Sequence, residues 1–213
     1  MSGLETQGFV ITGTDTDIGK TVFAAALTCA LGAFYWKPVQ AGLDGETDSQ
    51  AIERLSGVEP AQILPEKFRL RTPASPHFAA AKDGITITAD DLDIPQVAGP
   101  LVIEGAGGAL VPINDDLLFA DLFALWKWPV IIAASTKLGT INHSLMTIEA
   151  LRSRDVPVHG IAFIGDEITD SQDSICRIGG VKQLGRLPII TDLSAQTLSS
   201  AFHAHFDISD FSA

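Results

Sequence analysis

The chain has 213 residues, of which 46% are hydrophobic, and it carries a formal net charge of −12. This length allows one domain with a substantial core, whereas the acidic charge argues against nucleic acid or an anionic membrane as the main partner. The two cysteines, Cys29 and Cys176, lack metal-ligand spacing and suit a reducing compartment. No apolar run is long enough to span a membrane and residues 1–8 lack a signal-peptide pattern, so we expect a cytoplasmic protein.

The first elements indicate a nucleotide site. An apolar run at residues 9–12 predicts a strand, and the Ala-rich residues 22–31 predict a helix. Between them, residues 13–21 read Gly-Thr-Asp-Thr-Asp-Ile-Gly-Lys-Thr, a variant phosphate loop with five rather than four residues between its glycines. Such a loop aims backbone N–H groups at phosphate oxygens, while Lys20 supplies charge and Thr21 a hydroxyl for Mg²⁺.

Strands and helices alternate along the rest of the chain. Short, continuous apolar runs are typical of strands buried on both faces, and they occur at residues 101–104, 130–134 and 158–164, with further strand candidates at 34–36 and 184–188. Helices are predicted at residues 49–55, 119–126, 140–154 and 193–206. This order predicts a single-domain α/β fold over residues 1–213, with a doubly wound, mainly parallel sheet, helices on both faces and loose termini at 1–8 and 207–213.

Several polar residues follow predicted strands, and in such sheets ligands bind at the carboxyl ends of the strands. Lys37 follows residues 34–36 and is a candidate to stabilise an anionic intermediate or a γ-phosphate, or simply a lysine that reaches solvent. Glu104 ends an apolar run, ahead of a predicted glycine-rich turn at 105–108, and is a candidate ligand for nucleotide-bound Mg²⁺. Asp48 is either a second such carboxylate or a solvated loop residue.

Residues 137–143 form a second predicted strand-to-helix turn. Its helix N-terminus would hold a carboxylate or phosphate, and the alternative is that Thr140 or Asn142 is an ordinary N-cap. The five histidines have no zinc-ligand spacing, so we predict neither a zinc site nor His-based nucleophilic catalysis.

Taken together, six stretches of the sequence resemble the dethiobiotin synthetases, ATP-dependent ligases of biotin biosynthesis. They are residues 13–21, Lys37-Pro38-Val39 with Gly42, 75–77, 104–108, 137–143 and 185–188. The resemblance implies a fold of the P-loop NTPase type, a homodimer, and Mg²⁺ with ATP as co-substrate. It further implies that CO₂ carbamates one amine of 7,8-diaminononanoate, that ATP phosphorylates the carbamate, and that the second amine displaces phosphate to close the ureido ring.

The same resemblance implies roles for individual residues of this sequence. Residues expected to act in catalysis are Lys37, Lys20 and Thr16. Residues expected to contact the nucleotide are Asp17, Ile18, Gly19, Lys20, Thr21, Val22, Glu104, Gly107, Asp166, Leu187 and Pro188. Residues expected to hold Mg²⁺ are Thr21, Asp48 and Glu104. Residues expected to bind the substrate are Thr16, Lys37, Ala41, Gly108, Gly139, Thr140, Ile141 and Asn142, the last four meeting its carboxylate across the dimer interface.

Three positions depart from the family's pattern. Ala41 stands where the family often has a hydroxyl residue. Gly165-Asp166 stands where an asparagine usually reads adenine, although Asp166 offers a hydrogen-bond acceptor for a base amine. In the family, a tyrosine from the partner subunit sometimes helps to hold the substrate carboxylate, but the single tyrosine here, Tyr35, is in the wrong place for this role. The second departure predicts a loose preference for ATP over other nucleoside triphosphates.

Three alternatives remain open at this stage. A nucleotide-dependent switch of the chromosome-partitioning ATPase type would share the fold, but its loop carries an extra lysine near the start, which Gly13-Thr14 lacks. An amidotransferase-like relative would act on another carboxylate or amine. A non-catalytic paralogue would be weakened at Ala41.

Overall fold

The computed structural model describes residues 7–211. Its strands are β1 (Gly8–Gly13), β2 (Phe34–Trp36), β3 (Val39–Ala41), β4 (Ile63–Leu64), β5 (Phe68–Leu70), β6 (Leu101–Gly108), β7 (Val130–Ser135), β8 (Val158–Ile164) and β9 (Gln183–Leu187). Its helices are α1 (Lys20–Leu31), α2 (Asp48–Ser56), α3 (Pro76–Asp83), α4 (Phe119–Trp126), α5 (Thr140–Arg152), α6 (Thr169–Gly179) and α7 (Ala195–His205). Over this range no helix combines the length and apolar character needed to cross a membrane.

Seven strands form one parallel sheet in the order β4-β2-β6-β1-β7-β8-β9. The strand β1 therefore lies at the centre, with the β6 and β7 strands on either side. Parallel neighbours require crossover connections, and helices supply them here. This topology confirms the predicted doubly wound α/β sheet. The ranges of β8 and α4 agree with the predicted strand and helix to the residue.

Helices cover both faces of the sheet, and each face has its own hydrophobic core. Because side chains alternate along a strand, β1 contributes Phe9 and Ile11 to one core and Val10 to the other. Phe23 of α1 joins the first core, and Phe123 of α4 joins the second. Burial on both faces explains why the strands are continuous apolar runs.

The strand β6 is longer than the sequence predicts. The predicted strand at residues 101–104 continues to Gly108, so residues 105–108 belong to the strand rather than to a glycine-rich turn. A Cβ on Gly105 would lie 3.1 Å from Phe123 Cζ, so at that position glycine serves the packing of α4 against the sheet.

Several elements, including β3, β5 and α6, have no counterpart in the predicted set. The three-residue strands β3 and β5 form a separate parallel pair, and strands this short are below the length at which an alternating pattern is visible. The helix α6 has a polar sequence in which only a narrow face is buried.

The predicted loose C-terminus is wrong over the residues that the structure describes. Ile208–Phe211 forms a 3₁₀ helix, and Phe211 is buried. Its ring centroid lies 5.6 Å from that of Phe202 and 6.0 Å from that of Phe9. This contact adds the end of the chain to the core beside β1. At the other terminus, Gly8 already belongs to β1, while residues 1–6 and 212–213, also expected to be loose, lie outside the described part.

Candidate active site

The phosphate loop joins β1 to α1 and ends in a helix N-terminus without a side-chain cap. Gly19, the N-cap residue, has a φ of 96°, and the first N–H groups of α1 have no intrahelical partner and suit an anion. A Cβ on Gly13 would lie 2.8 Å from Lys20 Cδ, so glycine leaves room for the lysine side chain. Lys20 Nζ donates to the carbonyl oxygen of Asp15 at 2.6 Å, which folds the lysine back over the loop.

Four side chains from separate segments converge beside the loop. Thr21 Oγ1 lies 2.9 Å from Glu104 Oε1 and 3.1 Å from Asp48 Oδ1. Lys37 Nζ lies 2.6 Å from Asp48 Oδ2 and 3.2 Å from Glu104 Oε1, and it donates to the carbonyl oxygen of Gly105 at 3.0 Å. The structure therefore brings the three predicted metal ligands together with the predicted catalytic lysine.

The charges of this cluster are strongly coupled. Burial penalises the ammonium of Lys37, but the charges of Glu104 and Asp48 outweigh burial and raise its pKa. Burial also penalises the carboxylate of Asp48, but the charge and hydrogen bond of Lys37 lower its pKa. Burial and the nearby charge of Lys37 lower the pKa of Lys20. The two carboxylates therefore keep Lys37 charged in a site where water has little access.

Two further side chains support the carboxylates, and the sequence did not single out either for this role. The Tyr35 hydroxyl donates to Glu104 Oε2 at 2.8 Å, and burial together with the Glu104 charge raises the pKa of Tyr35 well above its ordinary value. Gln40 Oε1 accepts the backbone N–H of Asp48 at 3.2 Å. One signal was present: Tyr35 precedes Lys37 by two positions, which in an extended segment places both side chains on the same face.

The oxygen donors of the cluster suit Mg²⁺. Mg²⁺ in nucleotide sites is commonly held by one or two carboxylates together with phosphate oxygens, and Asp48, Glu104 and the Thr21 hydroxyl supply this kind of set. Within residues 7–211, no group of three or more His, Cys, Asp or Glu side chains would hold a metal by itself. The donor set therefore fits a cation that arrives with a nucleotide.

Two cavities share the phosphate loop as a wall. The first, of about 610 Å³, is lined by seven of the predicted nucleotide residues: Asp17, Ile18, Gly19, Val22, Asp166, Leu187 and Pro188. The second, of about 760 Å³, is lined by eleven predicted site residues: Thr16, Asp17, Gly19, Lys20, Thr21, Val22, Lys37, Ala41, Asp48, Glu104 and Gly107. Four residues line both cavities: Thr16, Asp17 and Gly19 of the loop and Val22 of α1.

The predicted carboxylate-binding turn lies apart from the cavity that contains Lys37. Thr140 lines the first cavity, while Gly108, Gly139, Ile141 and Asn142 line neither. Gly139, with a φ of 97°, is the N-cap of α5 and makes no side-chain cap. The alternative in which Thr140 or Asn142 is the N-cap is therefore wrong, and the N-terminal N–H groups of α5 have no side-chain cap.

Comparison with known proteins identifies the family. Residues 7–197 match a family described as "AAA domain". The ATP-dependent dethiobiotin synthetase BioD of Rhodopseudomonas palustris (strain BisB18) is 59% identical over 98% of this chain and 100% of its own length. The chain belongs to the dethiobiotin synthetase family. The synthetase of Afipia carboxidovorans is similar to it at 58% identity, over 96% of this chain and 98% of its own length. These matches confirm the resemblance drawn from the six stretches.

A solved structure extends the likeness beyond the dethiobiotin synthetases. A ParA family ATPase from Chlorobium tepidum TLS has a TM-score of 0.55 over 93% of this chain and 92% of its own, at 14% sequence identity. At this identity the likeness shows the fold alone, and it supports the predicted P-loop NTPase type.

One departure from the dethiobiotin synthetase pattern has a clear structural basis. Gly165, the first of the two residues that stand where the resemblance expects an adenine-reading asparagine, has a φ of 132°, and a Cβ there would lie 2.3 Å from Thr136 Oγ1. The Thr136 hydroxyl therefore occupies the space that a side chain would need. Arg186 donates to the carbonyl oxygen of Gly165 at 2.9 Å and fixes this turn. The neighbouring Asp166 is exposed and lines the first cavity.

Proposed function

We propose that the protein is a cytoplasmic, ATP-dependent dethiobiotin synthetase that acts on 7,8-diaminononanoate and CO₂ with Mg²⁺ as the metal ion. The observation that carries this proposal is the shared wall between the cavities, because three residues of the phosphate loop and Val22 of α1 line both. A nucleotide in the first cavity would follow the loop and end with its γ-phosphate at the second. A carbamate bound in the second cavity would meet that phosphate beside Lys37.

The nucleotide is assigned to the first cavity. Asp166, Leu187 and Pro188 would surround the base, and Asp166 would accept a hydrogen bond from its exocyclic amine. The phosphates would lie along residues 16–21, where the uncapped N-terminus of α1 and the Lys20 ammonium compensate their charge. Phosphate oxygens in this position would replace the Asp15 carbonyl oxygen as the acceptor for Lys20.

The metal ion is assigned to the oxygen cluster. Thr21, Asp48 and Glu104 would hold Mg²⁺, which when bound supplies positive charge to the β- and γ-phosphate oxygens. The two carboxylates already lie within ion-pair distance of Lys37 Nζ in the structure. Glu104 lies within β6 and Asp48 at the start of α2, and both carboxylates reach the Thr21 hydroxyl of the phosphate loop.

Lys37 is assigned to the transferred phosphoryl group and the carbamate. Its ammonium is buried and remains charged because of Glu104 and Asp48. A preorganised charge in a site with little water stabilises developing negative charge more strongly than it would in solution. Lys37 would therefore stabilise the mixed carbamic–phosphoric anhydride and the transition state that leads to it, while the site holds the reactants in line.

The diamine is assigned to the second cavity, with its carboxylate at a dimer interface. Asp17 lines both cavities and would attract the amine before carbamation. In their own chain, residues 139–142 line no part of the cavity that contains Lys37. Of these residues, only Thr140 lines the other cavity. A homodimer would bring the uncapped α5 N-terminus of a partner to the carboxylate. Leu138, which precedes this terminus, and Met146, further along α5, are 107% and 56% exposed and would be covered by such an interface.

One assay tests the proposal. The protein is incubated with MgATP, bicarbonate and 7,8-diaminononanoate, and released phosphate is followed together with product mass. We expect phosphate release that depends on the diamine and a product with the mass of dethiobiotin. Phosphate release that ignores the diamine would indicate a nucleotide switch, and release with another amine but not this one would indicate a different ligase. Absence of both phosphate release and product would favour a non-catalytic paralogue.

A further inference from the structure

Tyr35 is the only tyrosine of the chain and lies within β2, fully buried. It lines neither of the two cavities, so a ligand in either cavity would not touch it. Its hydroxyl nevertheless contacts a residue of the site, because it donates a hydrogen bond to Glu104 Oε2 at 2.8 Å. Glu104 itself is 1% exposed. Its hydrogen bond with Tyr35 uses the carboxylate oxygen that contacts neither Thr21 nor Lys37.

The register of the sheet explains how the two side chains meet. The strands β2 and β6 are parallel, and Tyr35 is the partner of Val102. Glu104 is two positions further along β6, so it points to the same face of the sheet as Val102 and Tyr35. Diagonal neighbours on adjacent strands are within reach of an aromatic side chain. A phenol spans this distance, whereas phenylalanine would fill the same space without a donor.

The two oxygens of Glu104 have different partners. Oε2 accepts from Tyr35, while Oε1 lies 2.9 Å from Thr21 Oγ1 and 3.2 Å from Lys37 Nζ. Without the phenol, Oε2 would be a buried charged oxygen with no donor, and the carboxylate would rotate to share the partners of Oε1. The hydroxyl thus keeps one oxygen turned toward the phosphate loop.

We infer that Tyr35 is a positioning residue that holds Glu104 with Oε1 presented to the nucleotide-bound metal ion. This inference rests on the proposed function, since it takes Glu104 as a ligand of Mg²⁺. Residues that orient a metal ligand by a hydrogen bond, without touching the metal, typically contribute a factor of about 10 to 100 in metal affinity or activity. Tyr35 acts through Glu104 alone and touches neither substrate nor nucleotide.

The test measures metal binding rather than turnover. Mn²⁺ replaces Mg²⁺, and its affinity for the full chain saturated with a non-hydrolysable ATP analogue is measured by electron paramagnetic resonance. Tyr35→Phe should weaken Mn²⁺ binding about ten- to hundredfold, with the metal-free affinity for the analogue unchanged. The control is Ile52→Val, which trims another member of the same buried cluster without removing a polar group and should leave Mn²⁺ affinity unchanged. Equal Mn²⁺ affinities for Tyr35→Phe and the wild type would overturn the inference.

A second variant separates this inference from the proposed function. If Glu104→Gln weakens Mn²⁺ binding and Tyr35→Phe does not, Glu104 is a ligand and only the role of Tyr35 is wrong. If Glu104→Gln leaves Mn²⁺ affinity unchanged, both the metal assignment and the role of Tyr35 fail.

A spectroscopic measurement keeps the test independent of the folding of Tyr35→Phe. Biosynthetic labelling with fluorotyrosine introduces a single fluorine resonance, because the chain has one tyrosine. Addition of Mg²⁺ to the complex with the ATP analogue should shift this resonance, and Glu104→Gln should abolish the shift. A resonance that does not respond to Mg²⁺ would overturn the inference.

Discussion

Lys37 and Asp48 form an ion pair in which Nζ lies 2.6 Å from Oδ2, although one follows β2 and the other begins α2. The same Asp48 carboxylate is assigned to Mg²⁺, and Glu104 is shared in the same way. Substitution of either carboxylate would therefore remove an ion-pair partner of Lys37 as well as a proposed metal ligand. The two proposed roles are therefore linked by geometry.

Lys37→Ala should lower kcat by about two to three orders of magnitude, a loss typical of removing one preorganised charge from a transition state. Nucleotide affinity should fall only modestly, because the proposed contact strengthens as charge develops. Steady-state kinetics and nucleotide titration measure the two effects. The control is Lys67→Ala, an exposed lysine that lines neither cavity, and it should match the wild type. Near-normal turnover of Lys37→Ala would remove Lys37 from the site.

The ion pair predicts a loss of stability on acidification. Because the pKa of Asp48 is lower in the folded state, its contribution is complete above the unfolded pKa of about 4 and is lost as pH falls through the folded value. The contribution of Lys37, whose folded pKa is raised, is complete below about 10.4 and is lost as pH rises through its folded value.

Thermal melts of the wild type and Asp48→Asn across the acidic range test this linkage. The wild type should lose stability more steeply than Asp48→Asn as pH falls below about 4. Asp44→Asn, which changes an exposed loop aspartate, should follow the wild type. If the wild type and Asp48→Asn lose stability equally as pH falls, the ion pair contributes nothing to the pH dependence.

Base recognition should depend on Asp166 rather than on an asparagine. Inosine triphosphate lacks the exocyclic amine of ATP, so the wild type should prefer ATP only modestly, through the exposed Asp166 carboxylate. Asp166→Ala should lower kcat/KM for ATP about tenfold, the worth of one hydrogen bond to a charged group, and leave kcat/KM for inosine triphosphate unchanged. A steep wild-type preference for ATP that survives in Asp166→Ala would show that another group reads the base.

Asp17→Asn should raise the KM for 7,8-diaminononanoate and leave the KM for ATP nearly unchanged. Asp17 has a φ of 55°, and asparagine tolerates this left-handed conformation, so the substitution removes charge without straining the loop. Asp15→Asn is the matched control, since Asp15 lines only the first cavity. An unchanged KM for the diamine in Asp17→Asn would end its assignment to the substrate side.

The sequence was sufficient for the features that depend on local pattern. Residues 101–103 are apolar because β6 is buried on both faces, and Glu104 directly after them was found as a site candidate, although the strand continues to Gly108. Lys37 was found by the same logic. The loop at residues 13–21 is recognisable from its glycines and its lysine. The structure shows why glycine suits position 13, because a Cβ there would lie 2.8 Å from Lys20 Cδ.

The remaining features depend on contacts between distant positions. The hydrogen bond between Tyr35 and Glu104 requires the register of β2 against β6, which no local pattern specifies. Burial of Phe211 depends on the space left by Phe9 and Phe202. The obstruction of a side chain at Gly165 depends on the Thr136 hydroxyl from a neighbouring strand end. Such relations are fixed by tertiary packing and become visible only in the folded chain.

The central claim is that a carbamate formed from CO₂ attacks the γ-phosphate in the cavity that contains Lys37. The carbamate oxygen that bonds to phosphorus leaves with the phosphate when the second amine closes the ring. In a single turnover with heavy-oxygen-labelled CO₂, unlabelled ATP and the diamine, each released phosphate should therefore carry one heavy oxygen from CO₂, detected by mass spectrometry. Phosphate without the label, at the same yield of ring-closed product, would contradict the account.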